Sequence, residues 1–252
     1  MNRELAATLA RYCELVYPAE GEATEAETQV RIDQQLLPHT VQHFNKGGTH
    51  AFVVTTPEHR ALVFRGTQVS RRWSWEDIVR NVKVALVGWE GSGRAHKGYV
   101  KGLMAVWSDI KKQLQEVQQP IYVTGHSLGG VTATLAASLW DFDACYTFGA
   151  PRPGDRAFWR SVRCPVYRFH HAWDIAPTWP PYLTGYRQGG ERWKITRRGK
   201  VKQRRAFPWE LSPLPVGPLR VLDHGIGEYR LKLKGAALEE ILASPSSAAP
   251  AS

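Results

Sequence analysis

The most constraining feature of the sequence is a serine set among glycines between two apolar segments. The run "IYVT" at residues 121–124 has the composition of a short buried strand, and "LGGVTATLAASLW" at residues 128–140 that of a helix of small residues. Between them, Ser127 has Gly125 two positions before it and Gly129 two positions after it. Glycine allows the backbone to turn sharply and neighbouring segments to approach closely. The sequence therefore predicts a strand, a tight turn and a helix that together present one hydroxyl group.

Strands and helices alternate along most of the chain. The runs "HAFVVTT" and "ALVFRGT" are rich in β-forming residues and are separated by "PEHR", which predicts a hairpin over residues 50–67. Apolar residues recur at three- and four-residue steps from Tyr99 to Leu114 and predict a helix, while "CYTFGA" and "PVYRFHH" predict two further strands. This alternation favours an α/β fold with a largely parallel central sheet.

The pattern Gly-x-Ser-x-Gly between a strand and a helix is typical of the nucleophile elbow of α/β hydrolases. The strained turn raises the hydroxyl of Ser127 above the sheet. The helix that follows begins with free backbone N–H groups and with the positive end of its dipole, and both favour a developing oxyanion. We therefore expect an α/β-hydrolase fold with Ser127 as the nucleophile.

A serine at its ordinary pKa needs a general base, and the base needs a third group to orient it. In α/β hydrolases these residues follow in the order serine, acid, histidine. After Ser127, His170 and His171 end the predicted strand "PVYRFHH", where a catalytic histidine is less expected. His224 lies in "LDHGIGEY", on a predicted loop before the last helix. His224 is therefore the predicted base.

The orienting acid is predicted from its place after a strand. Asp174 follows closely on the strand that ends at His171, where the acid of this fold belongs. Asp223 is adjacent to His224, so its side chain points elsewhere. Asp155 remains the alternative, and a loop-capping role remains the alternative for Asp174. The predicted triad is Ser127, Asp174 and His224.

Length and composition indicate one globular domain. The 252 residues are 43% hydrophobic and 22% charged, close to the average of globular proteins. We expect the domain to occupy residues 1–242 and a flexible tail of small residues and prolines to occupy residues 243–252. No apolar run approaches the roughly 18 residues that span a bilayer.

The cysteines and the N-terminal segment bear on the cellular location. Cys13, Cys145 and Cys164 have no spacing that suggests a disulfide framework or a metal site. The segment "MNRELAATLARYCELVY" carries charges within its apolar pattern, which is typical of an amphipathic core helix and not of a signal peptide. These observations favour a cytoplasmic location, with non-classical secretion left open.

Most of the net charge of +10 comes from one segment. Residues 191–205 hold eight Lys or Arg residues and one Glu. Trp193, Ile195 and Val201 alternate with cations around Gly199, which predicts a hairpin with one apolar and one basic face. The basic face is either simply solvated or contacts an anionic membrane surface. We do not expect a nucleic-acid partner, because no recognised binding motif accompanies the charge.

Six motifs between about residues 50 and 230 resemble those of the class 3 lipases, the fungal-type triacylglycerol lipase family. They are "LVFRGTQ", "AHKGYV", "VTGHSLGG", "YTFGAPRPGD", "WDIAPTWPP" and "DHGIGEY". The resemblance implies a Ser-Asp-His triad at Ser127, Asp174 and His224, in agreement with the chain order. It also implies an oxyanion hole formed by the backbone N–H and hydroxyl of Thr67 and by the backbone N–H of Leu128.

The resemblance further implies a lid over the site at about residues 70–95 and an activity on lipid esters. We therefore predict a lipase-like serine carboxylester hydrolase that cleaves acylglycerols or related lipid esters through an acyl-enzyme. Neither a metal nor a cofactor is expected. A phospholipase A-type activity on anionic lipids and a feruloyl-type esterase activity stay open within the same enzyme class. A catalytically silent lipid-binding protein on the same scaffold is the alternative from a different class.

Overall fold

The computed structural model describes residues 1–19, 24–66, 85–115, 118–204 and 222–235. Its strands in chain order are β1 (Thr40–Lys46), β2 (Thr49–Thr55), β3 (Arg60–Phe64), β4 (Leu86–Gly88), β5 (Arg94–His96), β6 (Ile121–His126), β7 (Ala144–Phe148), β8 (Val166–His171), β9 (Glu191–Ile195) and β10 (Val201–Arg204). Eight of them form one sheet in the order β1-β2-β3-β6-β7-β8-β9-β10, and β4 pairs with β5 apart from it. From β3 to β9 neighbouring strands run parallel, whereas the strands at both edges are antiparallel.

Helices cover both faces of the sheet. They are α1 (Arg3–Leu15), α2 (Glu25–Leu36), α3 (Lys97–Leu114), α4 (Leu128–Ala136) and α5 (Ile226–Lys234). Buried side chains of α1, α2 and α5 pack on one face, and those of α3 and α4 pack on the other. The prediction of an α/β fold with a largely parallel sheet is confirmed.

The alternation of side chains along β3 shows why the central strands are apolar throughout. Ala61 and Val63 point to the face covered by α1, whereas Leu62 and Phe64 point to the face covered by α3 and α4. All four side chains are at most 1% exposed. A strand that is buried on both faces needs a continuous apolar run and not an alternating one. The predicted hairpin over residues 50–67 is present as β2 and β3 as far as the chain is described.

The basic segment forms the predicted hairpin and also extends the central sheet. Strand β10 pairs antiparallel with β9, and β9 pairs parallel with β8. The turn at residues 196–200 therefore lies at the same edge of the sheet as the C-terminal end of β8. Arg192 points into the protein and is only 5% exposed, so part of the predicted basic face is buried.

The predicted lid and tail fall largely outside the described residues. Of the segment 70–95, residues 85–95 are described and form β4, β5 and the turn between them. Trp89 in this turn is 7% exposed, donates its indole N–H to Ser138 Oγ at 2.8 Å and lies edge-on to the ring of Phe158. The tail at residues 243–252 lies outside the described part, so the limits of the domain stay a prediction.

The helices of the described segments include none that is long and apolar enough to cross a membrane.

The start of α4 lies unusually close to the end of β3. Gly129 is in the first turn of α4, and a Cβ atom added there would lie 2.2 Å from the carbonyl oxygen of Phe64 and 2.8 Å from the backbone of Arg65. A backbone segment inside a sheet cannot move aside as the end of a flexible side chain can. Glycine is therefore required for the helix to begin directly above the sheet.

We expect Gly129→Ala to lower the free energy of unfolding by about 1–3 kcal/mol, the usual cost of overpacking. Chemical unfolding followed by circular dichroism measures the change. Gly88→Ala is the control, because a Cβ atom there has no neighbour within 4 Å. Equal free energies of unfolding for the two variants would contradict the close approach of α4 to β3.

Candidate active site

Ser127 occupies a strained turn between β6 and α4. Its backbone has φ 55° and ψ −128°, a conformation that residues other than glycine rarely adopt. Its N–H donates to the carbonyl oxygen of Phe148 at 2.9 Å, which ties the turn to the end of the neighbouring strand β7. The residue is 4% exposed. These features match the predicted nucleophile elbow.

The structure brings together the three residues of the predicted triad. His224 Nε2 lies 2.9 Å from Ser127 Oγ, and His224 Nδ1 lies 2.9 Å from Asp174 Oδ2. Asp174 follows the end of β8, and His224 ends a short 3-10 turn just before α5. All three side chains are buried. The geometry suits a serine whose proton passes to an imidazole that a carboxylate holds in one tautomer.

Three hydrogen bonds hold the carboxylate of Asp174 in place. Its Oδ1 accepts the backbone N–H of Ala176 at 2.9 Å, and its Oδ2 accepts the hydroxyl of Tyr229 at 2.5 Å as well as His224 Nδ1. Burial on its own raises the pKa of the Asp174 carboxyl, but the charge and hydrogen bond of His224 outweigh burial and leave this pKa below its ordinary value. Asp174 is therefore ionised and can stabilise an imidazolium.

Sequence reasoning missed Tyr229. This residue belongs to the motif "DHGIGEY", five positions after His224, and lies on the buried face of α5. Its hydroxyl also accepts the backbone N–H of His171 at 3.0 Å. A tyrosine one helical turn into a helix that follows a catalytic histidine is the signal that could have pointed to it.

Gly149 makes room for the acid and the base. It follows β7, has φ +57°, and a Cβ atom there would lie 2.6 Å from Asp174 Oδ2 and 3.1 Å from the ring of His224. Any larger residue would be strained in this backbone conformation and would also push the two side chains apart.

Of the two residues predicted to form the oxyanion hole, the structure describes Leu128 but not Thr67. Leu128 is the first residue of α4, so its N–H belongs to the turn whose donors have no partner within the helix. Thr67 lies outside the described residues. The chain is described up to Gly66, where an added Cβ atom would lie 3.3 Å from Ser127 Cβ. The roles of Thr67 and Leu128 stay predictions.

The carboxylates of the other two aspartates considered above have partners outside the triad. Asp155 Oδ1 accepts the backbone N–H of Phe158 at 2.9 Å and caps a 3-10 turn, and its Oδ2 pairs with Arg94. Asp223 Oδ2 accepts the backbone N–H of Trp173 at 3.0 Å. Asp223 therefore points away from Ser127, as the sequence indicated, and Asp155 does not contact His224.

Three further histidines are buried around the triad and are neutral. Burial and the neighbouring His224 lower the pKa of His126 to about 3. Burial and the charge of Arg192 lower the pKa of His170 to about 4. Burial and the charge of Lys232 also lower the pKa of His171. In the described part of the chain, no group of three or more His, Cys, Asp or Glu residues is arranged to hold a metal ion.

Comparison with known proteins gives one consistent result. Residues 61–184 match the family described as Lipase (class 3). The lipase of Rhizomucor miehei is 34% identical over 152 residues, which are 54% of this chain and 41% of that protein. The secreted mono- and diacylglycerol lipase 1 of Fusarium solani is 33% identical over 157 residues, 56% of this chain and 46% of that protein. The chain thus spans about half the length of the curated relatives it matches.

A solved structure shares the fold. The crystal structure of a lipase from Rhizopus microsporus var. chinensis superposes with a TM-score of 0.63 at 22% identity, over 77% of this chain and 74% of that one. At this identity the likeness concerns the fold alone. The prediction of an α/β-hydrolase fold is confirmed.

The expectation of a cytoplasmic location is wrong. The Fusarium solani relative is named a secreted lipase, which points to an extracellular and not a cytoplasmic place. The sequence argument failed because charges within an N-terminal helix and unpaired cysteines say how a domain packs, not where the protein is delivered.

The three neutral histidines predict how stability depends on pH. The histidines of the unfolded chain bind protons below about pH 6.5. The buried rings of His126 and His170 have pKa values of about 3 and about 4, and the pKa of His171 is also lowered by burial and by Lys232. Below about pH 6.5 the unfolded state therefore binds more protons, and the free energy of unfolding falls by up to about 1.4 kcal/mol per pH unit for each ring.

We expect the urea midpoint of unfolding to be highest near neutral pH and to fall between about pH 6.5 and about pH 4. His170→Gln removes one of the titrating rings and should make this dependence shallower. A midpoint that does not change over this interval would contradict the neutral state of the three rings.

Proposed function

Because the chain belongs to the class 3 lipase family, we propose that it hydrolyses carboxylic esters of lipids through an acyl-enzyme on Ser127. The observation that carries the proposal is the pair of 2.9 Å contacts that link Ser127, His224 and Asp174. The names of the relatives, a lipase and a mono- and diacylglycerol lipase, support lipid esters as the substrate class. The secreted relative supports an extracellular place for the reaction.

The reaction proceeds in two acyl-transfer steps. Ser127 Oγ attacks the ester carbonyl while His224 Nε2 takes its proton, and Asp174 stabilises the imidazolium that forms. The tetrahedral intermediate then expels the alcohol, which receives the proton from His224. Water attacks the acyl-enzyme with His224 again as the base, and the carboxylic acid leaves as Ser127 regains its proton.

Backbone donors at the start of α4 stabilise the oxyanion. The N–H of Leu128 is one donor, and Thr67 supplies the second as the family resemblance implies. Each such donor contributes roughly 2.7–4 kcal/mol to stabilisation of the transition state. The helix dipole of α4 adds a positive field at the same place.

Acylglycerols are the first substrate candidate. The relative from Fusarium solani is named for mono- and diacylglycerols, which favours glycerides with a free hydroxyl over triacylglycerols. A phospholipase A-type activity stays open because of the basic hairpin, and a feruloyl-type esterase stays open as another activity of the same site. The lid at about residues 70–95 stays a prediction.

The basic hairpin at residues 191–205 is proposed to contact an anionic lipid surface. Its turn lies at the edge of the sheet that carries the triad, and Arg197, Arg198 and Lys200 are exposed there. Trp173, one residue before Asp174, is 51% exposed, and Lys194 Nζ lies 5.6 Å from the centre of its ring. A tryptophan beside cations suits the boundary between acyl chains and anionic headgroups. Such a surface would present the triad to its substrate.

Loss of the nucleophile tests the proposed reaction. We expect Ser127→Ala to reduce kcat on tributyrin by at least about 10⁴-fold with an unchanged fold, because the residual rate comes from the oxyanion hole and binding alone. A fluorophosphonate probe should label the parent at one site and should not label this variant. Equal activity of the two proteins would contradict the mechanism.

Parallel assays of the parent protein on a phosphatidylglycerol and on a feruloyl ester separate the open substrate classes. A parent protein that neither reacts with the probe nor cleaves any ester would indicate the catalytically silent lipid-binding protein.

Charge reversal tests the proposed lipid contact. We expect Arg198→Glu with Lys200→Glu to abolish cosedimentation with phosphatidylglycerol vesicles at low salt, while hydrolysis of a water-soluble ester stays unchanged. The control is Lys111→Glu with Arg160→Glu, which makes the same change in net charge at two exposed cations beyond the far end of α4. Equal losses of binding in both double variants would mean that net charge, and not the hairpin, attracts the membrane.

A further inference from the structure

Three buried histidines that take no part in the proposed chemistry share one bonding pattern. Each ring has one nitrogen against a backbone carbonyl, which can only accept a hydrogen bond, so that nitrogen must carry the proton. Each ring is neutral, so its other nitrogen is an acceptor, and a donor side chain lies against it. The three carbonyls belong to Asp174, His224 and the residue before His224.

His126 precedes the nucleophile and reaches the base. Its Nε2–H donates to the carbonyl oxygen of His224 at 2.7 Å, and its Nδ1 accepts the hydroxyl of Tyr17 at 3.0 Å. Tyr17 follows α1, on the opposite side of the ring from His224. The two bonds fix the ring orientation and its tautomer, because a flipped ring would place C–H groups against both partners and the other tautomer would place a lone pair against the carbonyl.

His170 makes the corresponding hydrogen bond to the backbone of the acid, Asp174. Its Nε2–H donates to the carbonyl oxygen of Asp174 at 2.6 Å, and its Nδ1 accepts Nη2 of Arg192 at 3.1 Å. Arginine is always charged and can only donate, so this ring also has one permitted orientation. The bond joins β9 of the basic hairpin to the loop that bears the carboxylate.

In His171 the two ring nitrogens have the opposite roles. Its Nδ1–H donates to the carbonyl oxygen of Asp223, the residue before the base, at 2.9 Å. Its Nε2 accepts the ammonium of Lys232 at 2.5 Å, and Lys232 is also paired with Glu228 Oε2 at 2.8 Å. Here the nitrogen nearer the backbone carries the proton, whereas in His126 and His170 it is the far nitrogen.

Given the hydrolase activity proposed above, on which this step rests, we propose that His126, His170 and His171 are positioning residues for the triad. Each fixes the backbone of one of the two loops that carry Asp174 and His224. The main-chain carbonyls are held at three points behind the reacting side chains, so the imidazole of His224 stays in line with both Ser127 and Asp174. A base displaced by about 1 Å can lose on the order of 100-fold in rate, so such anchoring matters to kcat.

The donor to the carbonyl is Nε2 in His126 and His170 but Nδ1 in His171. This difference allows a test that distinguishes positioning from a general packing role. The amide nitrogen of Gln reaches about as far as Nε2 of His, and the amide of Asn reaches about as far as Nδ1. At positions 126 and 170, Gln therefore retains the bond to the carbonyl and Asn loses it. At position 171 the order is reversed, because the carbonyl bond there comes from Nδ1.

We expect His126→Asn, His170→Asn and His171→Gln to lower kcat on a water-soluble butyrate ester by about 10-fold or more, with KM changed little. The exchanged variants His126→Gln, His170→Gln and His171→Asn should retain most of kcat. Rates are divided by the fraction of protein that a fluorophosphonate labels, so unfolded protein does not enter kcat. His59→Asn and His59→Gln are the controls, because His59 contacts Tyr12 and Thr56 and no triad loop.

The reversal between positions decides the outcome. Positioning is supported if Asn lowers kcat more than Gln does at positions 126 and 170, and if Gln lowers kcat more than Asn does at position 171. The same amide favoured at 170 and 171, or equal losses from both amides at each position, overturns it. Variants that lose activity only because they do not fold also overturn it, since that result indicates a packing role. A parent that the fluorophosphonate does not label and that cleaves no ester would instead contradict the hydrolase proposal itself.

Discussion

The close approach of backbone segments around Ser127 is the constraint on which the rest of the site depends. Helix α4 can begin directly above β3 only because Gly129 has no side chain, and the acid and base can lie side by side only because Gly149 has none. These two contacts let the strained backbone of Ser127 lie next to His224 without intervening atoms. Strain of this kind persists only where the surrounding structure fixes it, and here a sheet buried on both faces does so.

Buried polar groups behind the triad form the second level of organisation. The carboxylate of Asp174 is satisfied by His224, Tyr229 and a backbone N–H, and the carbonyls of its loop and of the His224 loop meet the neutral imidazoles. Such a network stabilises the fold only while every member has its partner, because an unpaired buried polar group costs about 1–3 kcal/mol. The proposed positioning of the triad therefore depends on the protonation state of three histidines that are not members of it.

The local patterns of the sequence predicted much of the fold and the positions of the proposed triad. The elbow, the hairpin of β2 and β3, helix α3 and the basic hairpin each have a signal within a short window. Chain order, together with position after a predicted strand or before the last helix, favoured Asp174 and His224. Helix α2 and strand β1 were not predicted. The helix begins with a capping box formed by Thr24 and Glu27, a pattern that is typical of a helix N-terminus. The strand, "TVQHFNK", lies at the edge of the sheet, where partly exposed residues weaken the apolar pattern.

Other features could not be read from the sequence because they depend on contacts between distant segments. The parallel pairing of β9 with β8 joins the basic hairpin to the central sheet, and nothing within residues 191–205 encodes that partner. The roles of His126, His170 and His171 depend on which carbonyl and which donor each ring meets, and these groups are up to 109 residues from the ring in the sequence. The sequence analysis considered His170 and His171 only as less expected bases. The packed structure shows that His170 carries its proton on Nε2 and His171 on Nδ1.

The central claim is that an acyl group passes through Ser127, and trapping that intermediate tests it most directly. The protein is mixed with a short-chain nitrophenyl ester, quenched in acid during turnover, digested and examined by mass spectrometry. The account predicts one acyl group, on the peptide that contains Ser127, which disappears when the quench is delayed until the ester is consumed. Turnover without an acylated peptide, or with the acyl group on a different residue, would contradict it.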